Sequence, residues 1–130
     1  MTDPAALEAR RKTDPVQLTL LYDEYGQLLT EKQRDCFELY FHQDLSLAEI
    51  ADELGISRQG VHDTLHRAEV TLSEMEAALG NVATASKMRR AVSEIEQCAG
   101  ELAASENETV SANARRILAA VASIRSYYGI

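Results

Sequence analysis

The sequence predicts an all-α protein. Both prolines, Pro4 and Pro15, precede position 16, and no stretch alternates apolar and polar residues as a half-buried strand does. Apolar residues recur instead at steps of three and four, the spacing that places side chains on one face of a helix. The chain of 130 residues is long enough for one compact domain, or for a small domain with a helical extension.

Three segments follow from these patterns. Residues 1–15 carry charge without an apolar face and are expected to form a flexible N-terminal arm. Residues 16–80 hold several amphipathic helices around a helix-turn-helix, and we expect them to form one domain. Residues 81–130 are predicted to form a helical hairpin or a dimerisation extension.

Two helices precede the motif. The first has a stripe of apolar residues: Leu18, Leu21, Tyr22, Tyr25, Leu28 and Leu29. Thr30 and Gln33 have the spacing of a capping box, which opens a second helix that ends near His42. The inner face of this second helix is expected to carry Cys36, Phe37, Tyr40 and Phe41.

The first helix of the helix-turn-helix is predicted from its two ends. Ser46 and Glu49 form a second capping box, and Gly55 follows the last turn, where a positive φ is commonly required. Its buried face comprises Leu47, Ile50, Ala51 and Leu54.

The second helix of the motif is expected to be unusually long. Ser57 can cap it, Ile56 can staple onto Val61, and the apolar pattern continues to Leu79, before Gly80. This length of about 22 residues corresponds to roughly 33 Å. The positions predicted to face outward, as candidate readers of a groove, are Arg58, Gln59, His62, Asp63, His66 and Arg67.

Two further helices are predicted after Gly80. Their apolar seams comprise Met88, Val92, Ile95, Ala99 and Leu102, then Val110, Ala114, Ile117, Val121, Ile124 and Tyr128. Ser105 and Glu108 have capping-box spacing between them. The seams can close within one chain or between two, and the surplus of narrow apolar stripes favours a homodimer.

The sequence predicts a protein without enzymatic activity, metal or cofactor. His62 and His66 share the spacing of a zinc-binding helix, but Asp63 replaces the usual glutamate and no third ligand follows at a fitting distance. Cys36 and Cys98 are expected to be reduced core residues. No apolar stretch approaches the ~20 residues of a membrane span, and no apolar signal core is present, so a cytoplasmic protein is expected.

Four segments in order resemble the YlxM-like family of bacterial proteins: Leu21–Arg34, Glu38–Phe41, Leu45–Asp52 and Ile56–Asp63. More distantly, the same region is similar to region four of sigma factors. The resemblance implies a sigma-region-four-like helical bundle, often dimeric, with a regulatory role in the signal recognition particle pathway. It implies the particle's RNA and its GTPase as partners.

The family's recognition helix carries over in part. Ser57, Arg58, Gln59 and Arg67 match, whereas the family commonly has tyrosine and lysine where this chain has His62 and His66. The part after Gly80 matches poorly.

Charge argues against tight DNA binding. Residues 30–80 contain four basic and eleven acidic side chains, a net charge of −7, and duplex DNA repels such a surface. Other candidate contacts to nucleic acid are the basic residues of the C-terminal part: Lys87, Arg89, Arg90, Arg115 and Arg116.

Three hypotheses remain from the sequence. The first is an accessory nucleic-acid-binding protein of the signal recognition particle pathway. The second is a sequence-specific transcriptional regulator that places Arg58, Gln59, His62, His66 and Arg67 in the major groove of DNA. The third is a purely structural dimer whose helix-turn-helix is a folding unit and protein-binding surface.

Overall fold

The computed structural model describes residues 14–130, and among them it contains helices and no strand, which confirms the predicted all-α class. The six α-helices are α1 (Pro15–Tyr25), α2 (Glu31–Phe37), α3 (Leu47–Leu54), α4 (Arg58–Leu79), α5 (Asn81–Ala103) and α6 (Glu108–Tyr128). A 3-10 turn (Gly26–Leu28) follows α1, and a π-helical turn (Glu38–His42) extends α2. The predicted arm lies almost entirely outside the described residues.

The predicted helix starts are confirmed by their hydrogen bonds. Both capping boxes, at Thr30 and Ser46, are complete, with the cap side chain and the third helical residue bonding each other's backbone. The Ser57 hydroxyl accepts from the Gly60 N–H at 2.9 Å. Gly55 ends α3 in the left-handed conformation, with φ of 68°. These caps fix where each helix begins. The end of α3 at Gly55 and the start of α4 after Ser57 therefore set the turn between these two helices.

The chain divides into two compact units, one ending at Val82 and the other spanning Ala83–Ile130. In the N-terminal unit, α4 contributes to two apolar clusters. The first cluster joins α2, α3 and the start of α4 through Cys36, Leu47, Ile50, Ala51, Val61 and Leu65. The second joins α1, α2 and the middle of α4 through Leu18, Leu21, Tyr25, Leu29, Phe37, Ala68 and Leu72. Helix α4 therefore packs into both apolar clusters of this unit.

Leu28 departs from the predicted stripe of the first helix. It is 66% exposed, because α1 ends at Tyr25 and the chain tightens into the 3-10 turn. Tighter winding shifts the angular position of each following residue, so Leu29 is buried and Leu28 is not.

A partly buried hydrogen-bond network lies within the N-terminal unit, around the end of α4 and the first two residues of α5. The Tyr25 hydroxyl donates to Glu76 Oε1 at 2.6 Å and accepts from the Asn81 N–H at 3.1 Å. Glu76 Oε1 also accepts from the Val82 N–H at 3.0 Å. The first backbone donors of α5 are therefore bound by side chains of α1 and α4, as the start of a helix requires.

In the C-terminal unit, α5 and α6 form an antiparallel hairpin. Arg125 on α6 donates to Glu96 at 2.7 Å and to Ser93 at 3.0 Å, both on α5, while the Ser111 hydroxyl donates to the Ala103 carbonyl at 2.9 Å. The residues buried along the hairpin are Val92, Ala99, Ser111, Ala114 and Val121.

Two predictions for this unit are wrong. Asn107, and not Ser105, caps α6 by accepting from the Val110 N–H; the Ser105 hydroxyl instead accepts from the Asn107 N–H. Cys98 is exposed, whereas Cys36 is buried as expected. Cys98 lies one residue before the buried Ala99 along α5.

No helix within residues 14–130 is long and apolar enough to cross a membrane.

Candidate nucleic-acid interface

The helix-turn-helix consists of α3, a short turn and the first half of α4. The Ile56 N–H donates to the Ala51 carbonyl at 3.1 Å, which closes the turn after Gly55. Val61 and Leu65 anchor α4 in the core, so the opposite face of the helix is open to solvent. The predicted contact residues on this open face are Arg58, Gln59, His66 and Arg67, all exposed.

His62 does not share this outward orientation, so the prediction that it faces a groove is wrong. It is only 8% exposed, and its Nε2 atom is buried without a hydrogen-bond partner among residues 14–130. Its Nδ1 atom lies 3.3 Å from Asp63 Oδ1. Position 62 directly follows the core residue Val61, which places it at the edge of the buried face.

Asp63 organises the middle of the open face, a role that the sequence analysis did not assign to it. Its carboxylate accepts from Gln59 Nε2 at 2.8 Å and lies against His62. The hydrogen bond with His62, followed by the one with Gln59, holds the pKa of Asp63 below its usual range. This carboxylate is therefore ionised at neutral pH and occupies one amide hydrogen of Gln59. The four-residue spacing of Gln59 and Asp63 is the sequence signal for this pair.

The cations of the N-terminal unit differ in their roles. Arg34 Nη1 donates to the carbonyls of Gln27 and Leu29 at 3.3 and 3.1 Å, so this side chain bridges the 3-10 turn to α2. Arg58 and Arg67 are exposed on α4. The open face thus offers two arginines, with an ionised aspartate between them.

The basic residues of the hairpin form two separate groups. The contact of Arg125 with Ser93 and that of Ser111 with Ala103 set the antiparallel register. In this register the exposed Lys87, Arg89 and Arg90 lie at the open end of the hairpin, and the exposed Arg115 and Arg116 lie near its loop. Arg115 Nη1 also donates to Ser111 at 2.7 Å, and its Nη2 atom lies 3.5 Å from Glu108. These five residues therefore do not form one patch.

The histidine pair that resembles a zinc motif is split between two environments, since His62 is buried and His66 is exposed. Across residues 14–130, no group of three histidine, cysteine or acidic side chains is placed to hold a metal ion.

Comparison with known proteins places this architecture in a family. The model of the UPF0122 family, described as helix-turn-helix proteins of the YlxM / p13 like type, matches residues 12–111. A UPF0122 protein of Caldanaerobacter subterraneus subsp. tengcongensis is 51% identical over 81 residues, 62% of this chain and 69% of the relative. One from Symbiobacterium thermophilum is 43% identical over 108 residues, 83% of this chain and 94% of the relative.

A third relative, a UPF0122 protein of Thermoanaerobacter sp., is 60% identical over 65 residues, which cover 50% of this chain and 56% of the relative. The alignment with it is thus confined to about half of either protein. The family match and the longer alignments extend well beyond the helix-turn-helix itself. The chain belongs to the UPF0122 family of YlxM/p13-like helix-turn-helix proteins.

Proposed function

We propose that this protein is a regulatory, nucleic-acid-binding accessory of the signal recognition particle pathway, and that the open face of α4 is its contact surface. The observation that carries the proposal is the exposure of Arg58 and Arg67 on a helix that caps and two apolar clusters hold in place. Arg58 lies in the first turn of α4, where backbone N–H groups and the helix dipole favour anions. Arg67 follows about 14 Å further along the helix axis.

The charge distribution implies weak and salt-sensitive binding. Two phosphate contacts per chain correspond to a slope of log K against log salt of about −1.8, and four contacts in a dimer to about −3.6. Specific DNA-binding proteins often make about 6–10 such contacts. We therefore propose that the protein also acts as a homodimer, because a single copy presents too few cations for appreciable affinity.

An RNA target agrees better with this surface than a DNA sequence does. Helical RNA is recognised largely by shape and by backbone contacts, which need few base-reading side chains. On the open face, Asp63 already engages the amide of Gln59, the side chain otherwise suited to reading adenine. The resemblance of residues 21–63 to YlxM-like proteins suggests the particle's RNA as the target and its GTPase as the protein regulated through that complex.

Equilibrium binding across salt concentrations tests this proposal. The full chain is titrated against the particle's RNA and against duplex DNA, with fluorescence anisotropy as the readout. We expect the Arg58→Ala/Arg67→Ala double variant to weaken RNA binding and to flatten the salt slope by about 1.8 per chain. Lys32→Ala is the matched control, because Lys32 is an exposed cation on α2.

Two results would contradict the proposal. If the double variant binds the RNA with the same affinity and salt slope as the unmodified chain, α4 is not the contact surface. If binding to duplex DNA is tighter than to the RNA and depends on sequence at physiological salt, the protein is a transcriptional regulator resembling sigma region four. The particle's GTPase rate, measured with and without the protein, reports on the regulatory part separately.

A further inference from the structure

An acidic side chain lies in the middle of the proposed contact surface, although nucleic acid is itself an anion. Asp63 is the single acidic residue among residues 58–68, the part of α4 that carries Arg58 and Arg67. Its side chain is 49% exposed. A carboxylate at this place weakens the attraction of the surface for phosphates, unless it meets a hydrogen-bond donor of the nucleic acid.

The hydrogen-bonding contacts of Asp63 leave one of its two oxygen atoms open. Gln59 Nε2 donates to Oδ1 at 2.8 Å, and His62 Nδ1 lies 3.3 Å from the same oxygen. Oδ2 receives no hydrogen bond from any residue between 14 and 130. Because His62 is buried and Gln59 lies one turn earlier on the helix, the carboxylate is oriented before a ligand arrives. Oδ2 is therefore the oxygen that is left to accept from a ligand.

The chemistry of a carboxylate restricts the groups that it can contact. An ionised carboxylate accepts hydrogen bonds and donates none, so phosphate oxygens and the carbonyl oxygens of bases are excluded as partners. Along the nucleic-acid backbone, the ribose 2′-hydroxyl is the group that can donate, and DNA lacks it. Helical RNA displays these hydroxyls in a wide, shallow minor groove that side chains can reach.

We propose that Asp63 Oδ2 accepts a hydrogen bond from a ribose 2′-hydroxyl and thereby makes this surface selective for RNA over DNA. The inference rests on the proposed RNA contact and names the chemical group by which that contact discriminates. Arg67 follows Asp63 by one turn on the same side of α4, and its charge acts on the carboxylate. A carboxylate beside an arginine is complementary to a ribose hydroxyl beside a phosphate, as the two groups occur along an RNA strand.

The exocyclic amine of a base is the alternative donor. Cytosine N4 and adenine N6 donate in the major groove, which is open to side chains in DNA but too narrow in helical RNA. In DNA the carboxylate would enter a groove bordered by phosphates, with two exposed arginines of α4 to offset the repulsion. A 2′-hydroxyl is present at every ribonucleotide, so one carboxylate can contact it without recognising a base.

Three duplexes of one sequence test the inference. They are an RNA duplex from a helical segment of the particle's RNA, the same duplex with 2′-O-methyl ribose, and the corresponding DNA. The methylated duplex keeps the A form and the 2′ oxygen but has no hydroxyl hydrogen to donate. We expect the full chain to bind RNA about tenfold more tightly than methylated RNA, as the loss of a hydrogen bond to a charged group implies. Both affinities should fall with salt while their ratio stays constant, because a hydroxyl contact releases no counterion.

Substitutions at position 63 should remove this preference. Asp63→Ala should bring the ratio of the two affinities close to 1, and binding to methylated RNA should strengthen because a negative charge is lost. Asp63→Asn keeps the shape of the side chain and places an N–H donor where Oδ2 stood, so the ratio should again approach 1. Glu74→Ala is the matched control, since it removes the same charge from an exposed position about 16 Å further along α4 and should keep the tenfold ratio. Helicity by circular dichroism should be the same in all variants.

The outcomes separate this inference from the proposed function. It is overturned if the unmodified chain binds RNA and methylated RNA equally, or if the preference persists in both Asp63 variants. It is also overturned if Asp63→Ala weakens binding to the DNA duplex, because the carboxylate then reads a base amine. If Arg58→Ala/Arg67→Ala weakens RNA binding but the ratio of the unmodified chain is 1, the contact surface stands and the role of Asp63 fails. If that double variant binds RNA as the unmodified chain does, or if the unmodified chain binds no RNA, both proposals fail.

Discussion

The substitution Tyr25→Phe should destabilise the N-terminal unit strongly, although it removes a single oxygen atom. The Tyr25 ring is almost completely buried, and its hydroxyl both donates to Glu76 at 2.6 Å and accepts from the Asn81 N–H at 3.1 Å. Phenylalanine fills the same apolar space but has no hydroxyl. Glu76 therefore loses one hydrogen-bond donor, and the Asn81 N–H loses its acceptor. Glu76 and Asn81, both in the N-terminal unit, then lose their hydrogen bonds to α1.

The magnitude follows from the kind of hydrogen bond that is lost. A hydrogen bond to a charged group contributes about 1.5–3 kcal/mol, and leaving the partly buried Asn81 N–H unpaired adds to the loss. Glu76 still accepts a hydrogen bond from the Val82 N–H, so its carboxylate keeps a donor. We therefore expect the free energy of unfolding to fall by about 2–3 kcal/mol. With an m-value of about 2 kcal/mol/M, the urea midpoint should fall by about 1–1.5 M.

The matched control is Tyr22→Phe, which makes the same chemical change three residues earlier. The Tyr22 hydroxyl donates to Glu38 at 2.7 Å, but this bond is exposed and water can replace it. Its loss should cost less than about 1 kcal/mol. Urea unfolding followed by far-ultraviolet circular dichroism compares the two variants under identical conditions. Equal losses of stability in both would refute the reasoning, because burial would then not set the cost.

Two other predictions concern stability. Gly80→Ala should destabilise the protein by about 1 kcal/mol, because Gly80 has a φ of +64°. Gly100→Ala should stabilise it by about 0.5–1 kcal/mol, because Gly100 lies inside α5 with open space around it. Relative to the unmodified chain, the urea midpoint should therefore fall in the Gly80 variant and rise in the Gly100 variant. The protein should also lose stability at alkaline pH. Burial and then the hydrogen bond to Glu38 raise the pKa of Tyr22 to about 12, and burial and then the bond to Glu76 raise the pKa of Tyr25. Since both phenols titrate near a pKa of about 10 when unfolded, the stability they provide is complete below about pH 10 and declines as the pH rises further, for Tyr22 through its folded pKa of about 12. Urea midpoints at pH 9 and pH 11 should therefore differ less in a Tyr22→Phe/Tyr25→Phe variant.

Local signals in the sequence determined the helices and several of their ends. The capping residues Thr30, Ser46 and Ser57 act on backbone donors within three residues, and Gly55 and Gly80 meet the need for a positive φ at a single position. Such interactions require no distant contact, which is why their positions could be predicted from spacing alone.

The candidate site was predictable only in part, because only some of its features follow from local spacing along the chain. Exposure of Arg58 and Arg67 follows from the helical period once the buried face is known. The burial of His62 does not, because it lies at the edge of that face and neighbouring helices decide which side of the edge is covered. The engagement of Gln59 by Asp63 depends on the rotamers of both side chains.

The sequence by itself therefore determined the fold class, the helix-turn-helix and the surplus of apolar seams. Only the tertiary structure decided how these seams are used. It assigned Val92 and Val121 to the interior of the hairpin and left Ile95 and Ile117 exposed, although all four share one apolar pattern. A helical period defines a stripe of side chains, but the direction and register of the helix packed against it determine which half of that stripe is buried.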